Sequence, residues 1–513
     1  MNALKRIVTF LFSRLFVVAL MLLVQMALLI AVLTHYSQNA IYLYLGLNAL
    51  SFFAVMGVVS NHENPAYKMT WIIAIMLFPL TGGVFYLLLG NKRIPHKMRN
   101  KIKNTSFVTR EFHGENRLCE TQLEPKNSQL AIQSRYIYNV SGFTAMGNTA
   151  NHYYALGDDA FPHILEQLKK AEKFIFLEYF IIRPGRMWNT ILGILQKKAA
   201  DGVEVRVMYD DIGCINTLPP EYDQLLEKSG IKVRVFNPFR PRLTPLANYR
   251  DHRKILVVDG NVAFSGGYNL ADEYINEFER FGHWKDTGFM LQGDGVWSFT
   301  FMFLQQWVSC GKTTELIDYD AYRPTLTVAE QDGLVQAFDD SPLDRFNVCE
   351  TIYRNMLSRA QRYIYIATPY LILDSDMENT LCNAAQMGLD VRILTPSIPD
   401  KWYVHLLSRS YYNHLIQAGI TIYEYSPGFM HGKMIVADDE IATVGTCNMD
   451  FRSFYLHYEC GAVFYLSSMV GKVKADMEAT FAVSHKVTLE EARKISLPMR
   501  VVRAFIKLFA PLM

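Results

Sequence analysis

Three apolar runs open the chain, at residues 15–33, 41–59 and 71–89, and after them the hydrophobic pattern changes in kind. Each run is about 19 residues, which at about 1.5 Å rise per residue comes close to the hydrocarbon thickness of a bilayer. The pattern predicts three membrane-spanning helices within an anchoring region over 1–103. A cleaved signal peptide is the weaker reading of the first run, since no small-residue cleavage site follows it. Pro79 and Gly82-Gly83 allow a bent or re-entrant third run. Residues 104–134 are polar and aperiodic, and read as a linker.

From about Arg135 the text becomes globular. FIFLEYFII at 174–182 reads as a buried strand, and TILGILQKKAADG at 190–202 as an amphipathic helix stopped by Gly202. Strands follow at 203–211 and 230–238, then a strand pair across ILVVDG and VAFSGG. The same order returns in YIYIATPYLI at 363–372, LCNAAQMGLDVRILTP at 381–396 and GITIYEY at 419–425. Gly388 lies 186 positions after Gly202, and His431 lies 179 after His252. The chain therefore carries an internal duplication of alternating strands and helices, an α/β pattern. Its halves fall at 135–310 and 346–497, joined by a connector over 311–345. The tail 498–513 puts Val502, Phe505, Ile506 and Phe509 on one helical face and Arg500, Arg503 and Lys507 on another. That arrangement predicts a helix lying on a membrane surface.

Composition adds limits. Half of the 513 residues are hydrophobic and mean hydropathy is +0.06, with the excess at the front. Net charge is +2, which disfavours binding of nucleic acid through overall charge. The seven cysteines are scattered with no CxxC, suggesting neither a zinc site nor a disulfide framework. Lys5, Arg6 and Arg14 precede the first run, and Lys92, Arg93, Lys97, Arg99, Lys101 and Lys103 follow the third. The denser cluster predicts a cytoplasmic catalytic region, and it would also attract anionic lipid. CGKTT at 310–314 looks like the end of a phosphate-binding loop, but its required earlier glycine is Gln306.

The chemistry concentrates in one repeated pattern. His252, Lys254, Asp259, Gly266 and Asn269 recur as His431, Lys433, Asp438, Gly445 and Asn448 at identical spacing. A phosphodiester under attack needs a nucleophile, positive charge on its oxygens and an acid for the departing alkoxide. Imidazole serves the first and third needs near neutral pH, and ammonium and amide groups the second. No metal or cofactor is required by that division of labour. Exchanging one alcohol for another on phosphorus leaves bond types nearly unchanged, so no energy donor is needed either.

These paired motifs resemble the HKD motifs of the phospholipase D superfamily. NYRDHRKILVVDG at 248–260, GGYNLADEY at 266–274, TPY at 368–370, GTCNMDFRSF at 445–454 and NPAYKMTWIIAIMLFPLTGGVFYLLLG at 64–90 narrow the likeness to bacterial cardiolipin synthases. The resemblance implies two pseudo-symmetric α/β sandwich halves behind an N-terminal transmembrane helical region of a bacterial inner membrane. It implies transfer between two phosphatidylglycerol molecules, giving cardiolipin and glycerol through a phosphohistidine. It makes His252 the nucleophile and His431 the acid and base. A phospholipase D or a transferase with another donor or acceptor lipid is the alternative, with a nuclease and a non-catalytic scaffold behind it. The expected catalytic set is His252, Lys254, Asp259, His431, Lys433 and Asp438, the two aspartates chiefly pinning their loops. Asn269, Asn448, Gly266, Gly445, Glu178 and Tyr370 are expected at the substrate, and Asp286 and Glu459 as the carboxylates orienting the imidazoles. Glu273, Tyr274, Tyr179 and Arg452 are read as bracing residues.

Overall fold

The computed structural model describes residues 40–78, 82–83, 85–86, 90, 105–239, 248–311, 316–328, 332–344 and 346–512. The apolar run at 15–33 and the basic cluster at 92–103 lie outside them. The chain divides into two compact units, one of 1–95, 239–249 and 508–513, the other of 96–238 and 250–507.

In the first unit the run at 41–59 forms the helix Ala40–Ser60, and the third run begins as the helix Pro65–Leu77. Pro65 occupies the first turn, where its missing N–H costs nothing, and Asn64 Oδ1 caps the Ala66 N–H at 2.9 Å. The 71–89 run is not one straight span. Its helix ends at Leu77, and the chain returns so closely that a Cβ on Gly82 would meet the Ala74 carbonyl oxygen at 2.4 Å. Trp71, Ile75 and Tyr86 pack with Val58 in a small core, and Tyr67 Oη donates to the Gly90 carbonyl at 3.2 Å. No helix among the described residues is long and apolar enough to cross a membrane, so the three-span expectation finds no support in them. Leu45, Leu50, Phe52, Phe53 and Met56 nevertheless stand exposed along Ala40–Ser60.

The second unit holds two sheets of one design. The first half supplies β1 (Thr149–Tyr154), β2 (Phe174–Tyr179), β3 (Glu204–Asp210), β4 (Lys232–Phe236), β5 (Arg250–Asp251), β6 (Lys254–Val258), β7 (Val262–Gly266), β8 (His283–Lys285) and β9 (Gly288–Gly293). The second half supplies β10 (Leu334–Asp340), β11 (Tyr363–Ala367), β12 (Asp390–Pro396), β13 (Thr421–Tyr425), β14 (Gly428–Met430), β15 (Met434–Ala437), β16 (Ile441–Gly445), β17 (His457–Tyr465) and β18 (His485–Lys486). The sheet orders are β1-β9-β7-β6-β2-β3-β4 and β10-β17-β16-β15-β11-β12-β13-β18. They correspond strand for strand, parallel and antiparallel pairings included, with β18 as an added edge. Near-continuous apolar strands such as β2 and β11 follow from burial on both faces. One core cluster joins both sheets through Phe176, Val257, Phe289, Tyr365, Val436 and Phe464, with the helix Val296–Cys310 inside it. Helices Gly157–Lys170 and Arg186–Ala200 cover the far face of the first sheet.

Two segments depart from the sequence reading. The expected linker is largely helical, with Thr105–His113, a π-turn at Cys119–Leu123 and Ser128–Ser141. Its few apolar residues are spaced too widely to show a period, yet Cys119, Leu123, Leu130 and Ile137 are all buried. The expected connector contains β10, which pairs along β17 from Leu334 opposite Tyr465 to Asp340 opposite Glu459. The tail does form a helix, Leu497–Phe509, with Leu497, Val501 and Phe505 exposed and Ile506 buried.

Candidate active site

Each histidine is delivered across the boundary between the halves. β5 runs parallel to the start of β17, with Arg250 opposite His457 and Asp251 opposite Tyr458, and the His252 N–H then donates to the Tyr458 carbonyl at 2.9 Å. β14 runs parallel to β8, with Met430 opposite Lys285, and the His431 N–H donates to the Lys285 carbonyl at 2.7 Å. Tyr458 and Lys285 are the residues just before Glu459 and Asp286. The borrowed strands therefore set each imidazole beside the other half's carboxylate. His252 Nδ1 lies 3.0 Å from both oxygens of Glu459, and His431 Nδ1 lies 2.5 Å from Asp286 Oδ2. Both acids are fully buried. Thr446 Oγ1 donates to the second oxygen of Glu459, while Asp286 Oδ1 accepts the Thr287 N–H at 2.9 Å.

A carboxylate on Nδ1 fixes the tautomer with the proton there and leaves the Nε2 lone pair free. Burial, followed by the charges of Lys254, Lys433 and His431, holds the His252 pKa well below the usual imidazole value. Burial and Lys433 lower that of His431 to about 4 against the opposing pull of Asp286. Each of these histidines, paired across the halves with Glu459 or Asp286, also feels the lysine of both motifs.

The two lysines are fully buried. Lys254 Nζ donates to the His252 carbonyl at 2.5 Å, and Lys433 Nζ donates to that of His431 and lies 3.2 Å from its Nε2. Burial lowers Lys254 to about 7 and Lys433 to about 8, opposed by Glu459 and Asp286 in both cases. An anion entering this site meets ammonium groups already stripped of water, where their attraction is strongest.

The other expected residues divide. Asn448 is buried with an unpartnered Oδ1, whereas Asn269 is committed to the Ile181 N–H at 3.0 Å and the Tyr274 hydroxyl at 2.8 Å. Asp259 and Asp438 sit in left-handed turns, with φ of +52° and +58°. Their carboxylates accept backbone N–H groups of residues 172–174 and 361–363 respectively, away from the imidazoles. Gly266 and Gly445 lie hard against neighbouring strands. A Cβ on either would strike the neighbouring strand, 2.4 Å from Gly288 Cα or 2.6 Å from the Cys460 carbonyl oxygen. Glu178 is wholly buried in an ion pair with Arg253 at 2.7 Å, so it braces the β2–β6 region rather than touching substrate. Tyr370 Oη donates to Asp400 at 2.6 Å, and its ring lies 5.4 Å below the Lys401 ammonium.

Of the neighbours around the imidazoles, the sequence reading singled out Tyr274 alone. Trp284, Tyr274 and Phe429 ring His431, with centroids 5.2, 5.5 and 5.6 Å away. Phe180 and His457 flank His252 at 5.1 and 5.4 Å. Aligning HWKD at 283–286 with LHYE at 456–459 on their acids would have exposed Trp284 and His457 as counterparts. Donor atoms of His252, His457 and Glu459 lie within 4.8 Å of one another, two nitrogens and an oxygen of the kind zinc accepts. A cation there would displace the proton that orients His252.

Comparison with known proteins accords with this geometry. The family model described as "Cardiolipin synthase, PLD-like domain" matches residues 164–279 and 353–481, and "Phospholipase_D-nuclease N-terminal" matches 49–91. A cardiolipin synthase of Alkalihalophilus pseudofirmus is 35% identical over 463 residues, covering 89% of this chain and 92% of its own. The chain belongs to the cardiolipin synthase family. It is accordingly a phosphatidyltransferase with phospholipase D-like α/β domains. A Streptococcus mutans protein of uncharacterised function is 42% identical, covering 90% of this chain and 99% of its own. "Cardiolipin synthase 2" of Bacillus anthracis is 34% identical, covering 88% of each. The crystal structure of a Haemophilus influenzae phosphatidylserine synthase aligns over 75% of this chain and all of its own, with TM-score 0.56 and 13% identity, a likeness of fold.

Proposed function

We propose that the chain transfers a phosphatidyl group from one phosphatidylglycerol to another, giving cardiolipin and glycerol through a phosphohistidine on His252. The observation that carries this is the reciprocal pairing of two buried histidines with Glu459 and Asp286, beside two buried lysines. His252 Nε2 attacks phosphorus as the bond to the glycerol oxygen breaks. His431 gives that oxygen a proton, its basicity raised by the arriving phosphodiester charge. The primary hydroxyl of a second phosphatidylglycerol then loses its proton to His431 and forms the new O–P bond as the P–N bond breaks. Lys254, Lys433 and Asn448 hold the non-bridging oxygens. Asp259 and Asp438 shape the two loops without touching phosphorus.

The working halves are 135–310 and 346–497, and they act at the anionic surface of the bacterial cell membrane. Exposed apolar side chains on Ala40–Ser60 and on the basic helix Leu497–Phe509 support membrane attachment. The basic residues at 92–103 favour a cytoplasmic catalytic region. At headgroup level the lipid acceptor is concentrated relative to bulk solution, so transfer outruns hydrolysis. The test supplies the purified protein with phosphatidylglycerol alone. Free glycerol in step with cardiolipin supports the proposal; phosphatidic acid in place of cardiolipin sinks it.

A further inference from the structure

The duplication fails at one position that matters. Counted from the matched asparagines, Glu273 in the first half corresponds to Arg452 in the second, each four residues on. Glu273 is buried and neutralised by Arg183 at 3.1 Å and Arg280 at 3.0 Å. Arg452 is largely buried and makes no ion pair among the described residues. Among the described residues the one hydrogen bond of its side chain runs from Nη1 to His457 Nε2 at 3.5 Å. Its charge is felt by Asp450, which also faces Lys401. Asp450 makes no ion pair with it and caps the Ser453 N–H at 2.8 Å, so the guanidinium keeps a fork that a phosphate oxygen pair fits.

We propose that Arg452, with Lys401 beside it, binds the second phosphodiester, the one carried by the acceptor lipid. The inference rests on the reaction proposed above. In that reaction the attacking hydroxyl and the acceptor's own phosphorus are separated by one glycerol, five bonds of about 1.5 Å, or roughly 6 Å extended. The His457 ring lies 5.4 Å from that of His252, and Arg452 borders it on another side, so the two phosphates fit on neighbouring groups. Lys401 is half exposed over Tyr370 and 3.9 Å from Asp400, and its charge is felt by both Asp450 and His252, on the side where Arg452 lies. The corresponding place beside His431 offers Trp284 and a neutralised Glu273. The acceptor's hydroxyl therefore enters opposite His252, where glycerol left beside His431, while its charged group reaches toward Arg452 and away from the aromatic wall.

The experiment compares two rates on phosphatidylglycerol vesicles. Exchange of labelled glycerol into phosphatidylglycerol needs only the donor site, while cardiolipin formation also needs the acceptor phosphate. Losing a charge-assisted contact is expected to lower the cardiolipin-to-exchange ratio about tenfold or more in Arg452→Gln, with Arg452→Lys restoring part of it. Lys401→Gln, on an exposed side chain, is expected to lower the same ratio by a few-fold and guards against an unfolded Arg452 variant. An unchanged ratio in both glutamine variants, or equal loss of both rates in a folded protein, overturns the acceptor subsite. A wild-type protein that exchanges glycerol but makes no cardiolipin overturns the parent reaction instead.

Discussion

The surroundings of the two motif histidines differ more than the motifs that carry them. His431 stands in an aromatic enclosure of Trp284, Tyr274 and Phe429. His252 has Phe180 on one side and the polar His457 on another, with Arg452 beyond. The supports differ too. A Cβ on Gly267 would meet Asp286 Oδ1 at 2.0 Å, so that position stays bare; its counterpart Thr446 instead donates to Glu459. Duplication set the backbone twice, and the side chains around it have since parted. Equal frames with unequal walls suit a reaction whose two alcohols differ in charge.

The sharpest way to break that comparison is to remove each imidazole. His252→Ala is expected to abolish cardiolipin formation. His431→Asn is expected to slow it by roughly 10²–10⁴-fold, the usual span for a lost general acid and base. Incubation with phosphorus-labelled phosphatidylglycerol should leave acid-labile label on the His431 variant and none on the His252 variant; the reverse pattern exchanges their roles. Next come the orienting acids. Glu459→Gln and Asp286→Asn should each lower kcat on the order of a hundredfold, as expected for a misdirected imidazole proton. A loss confined to one of them would show that the pairs are not functional equivalents.

A smaller effect follows from pH. The charged ammonium is the form that holds phosphate, and burial lowers Lys254 to about 7 and Lys433 to about 8. Raising pH through that window removes positive charge from the free enzyme. kcat/KM is expected to fall as pH climbs above about 7, limited first by Lys254. A flat profile to pH 9 would detach the lysines from binding. The least kinetic effect belongs to Asp259→Asn and Asp438→Asn. Each weakens several charge-assisted bonds to backbone N–H groups and should cost about 1–3 kcal/mol of stability in denaturant melts, with kcat nearly unchanged.

The succession of β2, β3, β4, β6 and β7, and its return in β11, β12 and β13, was legible because hydrophobic runs and glycine stops recur at matched offsets; the order across the sheets, with β1, β9 and β17 in it, was not. The paired motifs were legible for the same reason. The crossing of the carboxylates was not. Asp286 follows His252 by 34 residues and Glu459 follows His431 by 28, which suggests nothing about exchange. Only the short pairings β5 with β17 and β14 with β8 bring each acid to the other imidazole. Gly266 and Gly445 misled because a glycine beside a motif can serve a ligand or a neighbouring strand, and the one-dimensional text does not separate these. β10 was lost inside a polar connector because Gln336, Asp339 and Asp340 break up its apolar residues. Arg452 was read as a brace because the want of an ion pair among the described residues shows only in three dimensions.

The exchange of carboxylates also fixes when this enzyme can become dangerous to the lipid around it. Glu459 lies 207 residues downstream of His252. A ribosome that has finished the first motif has made an imidazole without its partner, and most of the remaining protein must emerge before the proton on Nδ1 is held. If His252 acts as proposed, a chain cut short of Glu459 lacks the carboxylate that orients it, and each motif histidine depends on an acid encoded in the other half.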